Sequence, residues 1–150
     1  MKKVLVLFLF MLGAPVWAQT PIPSMPRAEL SIGLFRVLAE VAATPEQRGA
    51  GLMWRSGMAA HEGMLFVFPR ADRHCMWMKN TLIPLSVAFL DEKGRIINIR
   101  NMRPQSENNH CADAPARFAL EMNRGWFAEK GIAPGAQVSG LNVLEANRAR

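Results

Sequence analysis

The sequence predicts a mainly β domain of the α+β class, with one or two short helices. Residues 63–69 are apolar at both alternating positions, which is typical of a strand buried on both faces. Residues 86–90 and 95–101 read as two strands joined by Asp91-Glu92-Lys93-Gly94, whose glycine can adopt the positive φ of a hairpin turn. Helix signals are few and short by comparison, so strands are expected to build most of the domain.

The N-terminus has the three parts of a secretory signal. Lys2 and Lys3 precede an apolar run at residues 4–12, and a segment with the small residues Gly13, Ala14 and Ala18 follows. The run is short for a bilayer span, so we predict a signal peptide at residues 1–18 that is cleaved after Ala18; a retained membrane anchor is the alternative. Residues 19–28 hold three prolines and are expected to form an extended leader.

The first structured elements are expected after this leader. Alternation over residues 29–41 predicts one or two strands, with Gly33 at a turn or bulge. The run Thr44-Pro45-Glu46-Gln47 is typical of a helix start, because Thr can cap the helix, Pro suits its first position and Gln completes a capping box. This helix is expected to bury Leu52 and Met53 and to end near Arg55.

The second half of the chain is predicted to continue mainly in strands. Residues 74–84 read as a further strand, whereas residues 103–115 have no periodicity and predict a long loop. Residues 118–122 predict another strand, and residues 126–130 a short helix that Asn123 could cap.

A chain of 150 residues allows one domain of ordinary size. We expect this domain to span residues 29–141 and to close with a short strand at residues 138–141. Residues 142–150 are then expected to form a C-terminal tail.

The charge distribution argues against nucleic acid as a partner. Loss of the signal would remove two of the 18 basic residues and leave 16 against 12 acidic ones, which lowers the net charge from +6 to +4. Nucleic-acid binding predicts basic residues clustered on one element, whereas the arginines here are dispersed. We therefore expect no nucleic-acid partner and, after cleavage, no stable membrane span.

The two cysteines, Cys75 and Cys111, would enter a compartment in which disulfides persist, and we predict that they pair. Two buried thiols are one alternative. Another is a zinc site built from His74 and Cys75 with His110 and Cys111, which requires distorted segments because neighbouring strand residues point apart. The predicted location is periplasmic or secreted.

Four sequence blocks resemble the bacterial and archaeal domain of unknown function 192 family. They are Arg48 with Gly51-Leu52-Met53 and Arg55, then Gly63-Met64-Leu65-Phe66-Val67-Phe68, then Trp77-Met78-Lys79-Asn80-Thr81 with Ile83-Pro84-Leu85, then Leu120-Glu121 with Gly125. The resemblance covers about residues 29–141 and implies a compact, antiparallel β-sandwich or barrel with one or two short helices. It implies no activity and carries no catalytic residues. Many members have Asp where this chain has Ser86, and Phe where it has Met76.

One candidate site is a metal site. If residues 74–84 form a strand, His74, Met76 and Met78 lie on one face. An imidazole with two thioethers is a soft ligand set suited to Cu(I). The alternative is that both methionines fill the core while His74 ends the strand. We expect no cofactor for this chain, and a copper-handling role is kept as an alternative.

A second candidate site is a polar cleft around the same segment. Trp offers a flat apolar platform, while Lys and Asn supply directional donors, which suits a sugar, a peptide or a small anion. The alternative is structural: Lys79, Asn80 and Glu121 could form a buried network in which Arg48 pairs with Glu121. The candidate cleft residues are Arg48, Arg55, Trp77, Lys79, Asn80, Thr81 and Glu121.

Together these features predict an exported protein that binds a ligand of the cell envelope without transforming it. The sequence carries no nucleophile elbow, phosphate-binding glycine loop, dinucleotide fingerprint or paired-carboxylate motif. The alternatives are a small envelope hydrolase acting on a glycan or peptidoglycan, and the copper-handling protein.

Overall fold

A computed structural model of the chain describes residues 24–141. The predicted signal peptide at 1–18, residues 19–23 of the leader and the tail at 142–150 lie outside the described residues. Across residues 24–141, no helix combines the length and the apolar character needed to cross a membrane.

The described residues form nine strands and two short helices. The strands are β1 (Arg27–Ile32), β2 (Phe35–Ala42), β3 (Glu62–Asp72), β4 (Cys75–Met76), β5 (Leu85–Leu90), β6 (Ile96–Met102), β7 (His110–Cys111), β8 (Ala116–Asn123) and β9 (Val138–Ser139), and the helices are α1 (Pro45–Ala50) and α2 (Trp126–Glu129). The prediction of a mainly β domain with one or two short helices is confirmed.

Seven of the strands form one sheet in the order β6-β5-β8-β3-β2-β1-β9, and β4 pairs with β7 in a second, two-stranded sheet. All pairs are antiparallel except β2 with β3, which run parallel. Parallel neighbours need a crossover connection, and here residues 43–61 with α1 supply it. This crossover matters for the site, since it lays α1 across one face of the sheet.

The large sheet curls until its two edge strands approach each other. Arg95, next to β6, forms an isolated bridge with Gln137, next to β9. The Ile96 amide donates to the Ala136 carbonyl at 2.9 Å, and the Val138 amide donates to the Gly94 carbonyl at 2.9 Å. The sheet is therefore a half-barrel, and the contacts next to β6 and β9 join its two edges at one end.

The curled sheet buries an apolar cluster on each face. One cluster includes Leu30, Val37, Leu65, Leu120 and Phe127, and draws on strands from both edges. The other includes Leu52, Phe66, Met78, Val87 and Ala119, and lies under α1 and the chain that follows β4. The candidate site lies on this second face.

Several boundaries differ from those predicted. The 74–84 stretch is a strand only at Cys75–Met76, because Met78 turns into the core and Thr81 closes a turn onto the Met78 carbonyl at 3.0 Å. Helix α1 ends at Ala50 rather than near Arg55, although Leu52 is buried beyond it as expected. β1 begins two residues before the predicted start at residue 29, and α2 is capped by Gly125 without a side-chain bond from Asn123.

Candidate functional site

Glu121 is the polar residue around which the site is built. It lies in β8, between Met64 of β3 and Val87 of β5 in the strand register. Successive strand residues alternate between faces, so Glu121 projects from the same face as Ala119, among the apolar residues of the second cluster. An apolar side chain would therefore be expected at this position, but residue 121 carries a carboxyl group.

Helix α1 supplies one wall of the site. Thr44 caps it: the Gln47 amide donates to Thr44 Oγ1 at 3.2 Å and the Thr44 amide donates to Gln47 Oε1 at 3.0 Å, which confirms the predicted capping box. The helix places Arg48 in its last turn. Arg48 Nη1 donates to the carbonyl oxygens of Ala43 and of Val67, the latter at 3.1 Å, so one end of the guanidinium is anchored to backbone.

The residues after β4 supply the opposite wall. The predicted disulfide is present between Cys75 and Cys111, which are directly opposite each other in β4 and β7. Beyond it, the Met78 amide donates to the Ser106 carbonyl at 2.8 Å, and Met78 itself is fully buried. The core-bound Met78 leaves its neighbours Trp77 and Lys79 exposed at the surface.

Between these walls lies a small pocket of about 30 Å³. Its lining residues are Arg48, Gly49, Ala50, Gly51, Leu52, Met53, Phe66, Met76, Trp77, Lys79, Thr81 and Glu121. Five of the seven predicted cleft residues, namely Arg48, Trp77, Lys79, Thr81 and Glu121, therefore come together here. Lys79 Nζ lies 5.3 Å from the centre of the Trp77 ring, so the exposed rim carries a cation over an aromatic face.

The Glu121 carboxyl has an unusual environment. Its residue is 3% exposed, and within residues 24–141 it forms no hydrogen bond or ion pair. Burial disfavours the charged form of the carboxyl and raises the pKa of Glu121 to about 8. Between residues 24 and 141, the alternative network of Glu121 with Arg48, Lys79 and Asn80 is not represented by any direct hydrogen bond or ion pair from the Glu121 carboxyl.

Arg55 lies outside the pocket lining. Its guanidinium forms a bidentate ion pair with Glu40 of β2, at 2.6 and 2.7 Å. These hydrogen bonds from Arg55 hold the pKa of the Glu40 carboxyl below its usual value. Glu40 is a site neighbour that sequence reasoning missed, because its place beside Met64 depends on the parallel pairing of β2 with β3.

Asn80 also lies outside the lining, where it shapes the rim. Its φ of 56° is left-handed, and its carbonyl accepts a 2.9 Å hydrogen bond from the Trp54 amide. Trp54 has a φ of 64° and is 63% exposed. Two hydrogen-bonded non-glycine residues in this sparsely populated conformation mark a strained rim, which is a common property of functional sites.

The three candidate copper ligands, His74, Met76 and Met78, do not lie together on one face of a strand. His74 stacks on Phe68 with ring centroids 3.7 Å apart, and its Nε2 lies 3.0 Å from the Arg70 carbonyl oxygen. Met78 is buried in the core, whereas Met76 is half-buried at the pocket. Among the described residues, no cluster of three or more His, Cys, Asp or Glu could hold a metal ion.

Ser86 has a structural role. Its hydroxyl donates to Asn101 Oδ1 at 2.6 Å and accepts from the Gly125 amide at 2.9 Å. The residue is 1% exposed, so its hydroxyl joins β5 to the turn before α2.

Wider depressions lie elsewhere on the surface. One of about 410 Å³ borders β9, and one of about 430 Å³ borders α2 near Leu34 and Phe35. Neither is lined by any of the four buried polar residues of the described chain. The Glu121 pocket is smaller, but it has a buried polar group in its wall.

Sequence reasoning also missed the apolar and glycine part of the pocket wall. Gly49, Ala50 and Phe66 line the pocket. The signal that could have located them is Gly51 at the end of the predicted helix, where a Cβ atom would lie 3.3 Å from the Phe66 ring, whereas Gly49 has open space in that direction.

Comparisons with known proteins agree with this fold. A solved structure from Sinorhizobium meliloti 1021, described as a candidate transcription regulator, is 34% identical with a TM-score of 0.75, over 79% of this chain and 96% of that chain. A protein of unknown function from Novosphingobium aromaticivorans is 32% identical with a TM-score of 0.75, over 85% of this chain and 94% of that chain. A search of curated proteins gave no match. The family model for domain of unknown function 192, described as "Uncharacterized ACR", matches residues 29–140, and the chain belongs to that family.

Proposed function

We propose that the chain is an exported, non-catalytic binding protein of the cell envelope whose ligand site is the pocket at Glu121. The observation that carries this proposal is the Glu121 carboxyl, which lines the pocket, is buried, and has no hydrogen-bond partner within residues 24–141. A carboxyl that is nearly buried but reaches a pocket, and that has no partner among the described residues, is available to a ligand entering that pocket. A bound ligand would be the missing partner.

The rim defines the ligand classes that fit. Trp77 is 46% exposed and offers a flat apolar surface, while Lys79 and Arg48 offer positive charge. Such a combination suits a sugar, a peptide or a small anion. The strained backbone at Trp54 and Asn80 supports a binding role for the same rim.

Export is supported by the signal-like N-terminus and by the Cys75–Cys111 disulfide. Disulfides persist in oxidising compartments such as the bacterial periplasm. N-terminal sequencing of the chain recovered from the periplasmic fraction tests this, and the expected first residue is Gln19. A chain that starts at Met1 and stays in the cytosol would overturn the export part of the proposal.

Nucleic acid is not part of the proposal, despite the description of the Sinorhizobium meliloti structure. Arg36, Arg55 and Arg100 form ion pairs with carboxylates, so their charge is partly neutralised within the fold. A gel-shift titration with double-stranded DNA at physiological salt is expected to show no complex.

A small envelope hydrolase is the second candidate, and the raised pKa of Glu121 is what favours it. A carboxyl that stays protonated at neutral pH can act as a general acid on a glycosidic bond. Glycosidases of the usual type use two carboxyl groups, whereas Glu121 is the one carboxyl among the lining residues. Turnover of glycan or peptidoglycan that is lost in Glu121→Gln would replace the binding proposal with this one.

A thermal-shift screen tests the binding function directly. The full-length chain is screened against metals, glycans and muropeptides, and a true ligand at 100 times its Kd stabilises by about 2.7 kcal/mol. Glu121→Leu is expected to raise the unfolding free energy by about 1–3 kcal/mol, because it removes a buried carboxyl without a partner, and to abolish the ligand response. Glu107→Leu, which removes an exposed carboxylate, is the matched control and should retain the response.

The opposite pattern would contradict the binding function. If no compound stabilises the wild-type chain and Glu121→Leu is strongly destabilised, the carboxyl has a structural role and the pocket has no ligand.

A further inference from the structure

The ionisable residues of the pocket indicate which ligand it takes. They are Arg48, Lys79 and Glu121. Neither Arg48 nor Lys79 forms an ion pair with any residue between 24 and 141, and the Arg48 hydrogen bonds go to uncharged carbonyl oxygens. Two cations that form no close ion pair, although Glu46 lies near Arg48, therefore line the same pocket as a carboxyl that carries no charge when protonated.

The volume of the pocket limits the group that can enter. A site needs about 10–15 Å³ to hold one water-sized atom, and this pocket measures about 30 Å³. The pocket therefore suits a small group such as a carboxylate, while the rest of the ligand would lie on the rim against Trp77. A bare hydroxyl of a neutral sugar would fill part of this space and leave both cations unpaired.

We propose that the pocket binds the carboxylate of a small ligand, which pairs with Lys79 and Arg48 at the rim and accepts a hydrogen bond from the Glu121 carboxyl. This inference rests on the proposed function, since it names the ligand class of the same site. A hydrogen bond from a carboxylic acid to a carboxylate is short and charge-assisted, and it satisfies both groups at once. No bond is broken, and one proton is shared between two carboxyl groups.

The charges around Glu121 make this sharing depend on pH. Arg48 of α1 and Lys79 of the chain after β4 line the same pocket, but burial alone accounts for the raised pKa of Glu121. Along the sheet its direct neighbours Met64 and Val87 carry no charge. Farther away, Glu40 is neutralised by Arg55, and Glu46 is an exposed carboxylate on α1 near Arg48.

Burial raises the pKa of Glu121 to about 8, so the carboxyl can donate its proton to a bound carboxylate at neutral pH. Above pH 8 the free protein has lost that proton, and binding must then take one up. Affinity is expected to be constant between about pH 6 and 7.5 and to fall about tenfold per pH unit above 8.

The test uses matched acid and neutral probes. The ¹⁵N-labelled full-length chain is titrated at pH 6.5 with N-acetylalanine and N-acetylalaninamide, and with glucuronate and glucose, while chemical shifts of Trp77 and Lys79 are followed. Each acid is expected to bind at least tenfold tighter than its neutral counterpart. Tighter binding of N-acetylalanine assigns the carboxylate to a peptide terminus, and tighter binding of glucuronate assigns it to a uronic acid.

Two variants keep the inference falsifiable. Glu121→Gln still donates a hydrogen bond but cannot ionise, so its affinity for the acids should lose the decrease above pH 8. Lys79→Gln changes an exposed side chain and should weaken the acids several-fold without affecting the neutral probes, whereas Lys93→Gln, in the β5–β6 turn, should change neither. The second comparison stands even if Glu121→Gln fails to fold.

The outcomes separate this inference from the function on which it rests. Equal affinity for acid and neutral probes, or tight binding of glucose with no response to either acid, contradicts the inference that the ligand is a carboxylate. Either result leaves the proposed binding function in place. No change at Trp77 and Lys79 with any probe, together with a thermal-shift screen that finds no ligand, overturns both.

Discussion

At the scale of single residues, Glu121 has a side chain whose chemistry conflicts with its position. β8 places it in a row of strand neighbours, Met64 on one side and Val87 on the other, where an apolar residue would pack. A buried charge without a partner is strongly unfavourable, so the carboxyl is neutralised by a proton instead. The fold keeps a neutral acid at neutral pH, and its stability must therefore depend on that proton.

The pH dependence of stability follows from this proton. Native Glu121 keeps it up to about pH 8, whereas the unfolded chain releases it near the ordinary value of 4.5. Between these values the native state binds more protons, so the unfolding free energy falls as pH rises, by at most about 1.4 kcal/mol per pH unit. Urea unfolding at pH 5, 6, 7 and 8 should show this decrease in the wild type and a flatter profile in Glu121→Gln.

Two comparisons isolate the contribution of Glu121. Glu107→Gln removes an exposed carboxyl and should retain the full decrease. The lowered pKa of Glu40 acts outside this window, because the stability from its pairing with Arg55 is lost only as pH falls below about 4.5. Parallel profiles for the wild type and Glu121→Gln would mean that Glu121 is ionised in the folded protein.

At the scale of elements, the segment at residues 74–84 shows what local pattern can and cannot predict. The alternation of Met76 and Met78 suits a strand, but it equally suits a turn that buries one methionine. Two long-range contacts decide between the strand and the turn, namely the Cys75–Cys111 disulfide and the hydrogen bond from the Met78 amide to the Ser106 carbonyl. By contrast, the start of α1 depends on Thr44 and its three successors alone, and it was predicted correctly.

The disulfide is expected to stabilise this segment and the pocket wall that follows it. It joins residues 36 positions apart, for which the chain-entropy model gives about 4 kcal/mol. The double variant Cys75→Ser/Cys111→Ser should therefore lose about 3–4 kcal/mol of unfolding free energy in urea. Hydrogen exchange at the Met78 amide should accelerate more than at the Leu120 amide, because Met78 lies next to the lost bridge.

The treatment of the wild type with dithiothreitol is the control for this variant, and it should reproduce both effects. A loss below about 1 kcal/mol would show that β4 and β7 are held by their neighbours rather than by the bridge.

At the scale of the whole molecule, the fold class was predictable and the strand order was not. Apolar runs and turn residues located most strands, and five of seven candidate residues converge on one pocket. The parallel pairing of β2 with β3 could not be inferred, because nothing in either strand distinguishes parallel from antiparallel partners. The pairing of Arg55 with Glu40 could not be foreseen for the same reason, because the position of Glu40 beside Met64 depends on that parallel register.

The joining of the sheet edges gives a prediction for the molecule as a whole. Gly94, with a φ of +81°, lies where a Cβ atom would meet the Val138 carbonyl oxygen and a Leu141 methyl, both at 2.6 Å. Gly131, with a φ of +65°, has open space in the same direction. An alanine therefore strains the backbone at both positions, but only at Gly94 does it also push β9 away from the β5–β6 turn.

Gly94→Ala should accordingly lower the unfolding free energy by about 2 kcal/mol more than Gly131→Ala, since backbone atoms must shift to relieve the contact. Urea unfolding of the two variants measures the difference. Hydrogen exchange should show where it arises, with the Ile96 and Val138 amides, which join the two edges, exchanging faster in Gly94→Ala alone. Equal losses in the two variants would mean that the edge contact adds nothing to stability, and that the half-barrel holds its curvature through the apolar cluster inside it.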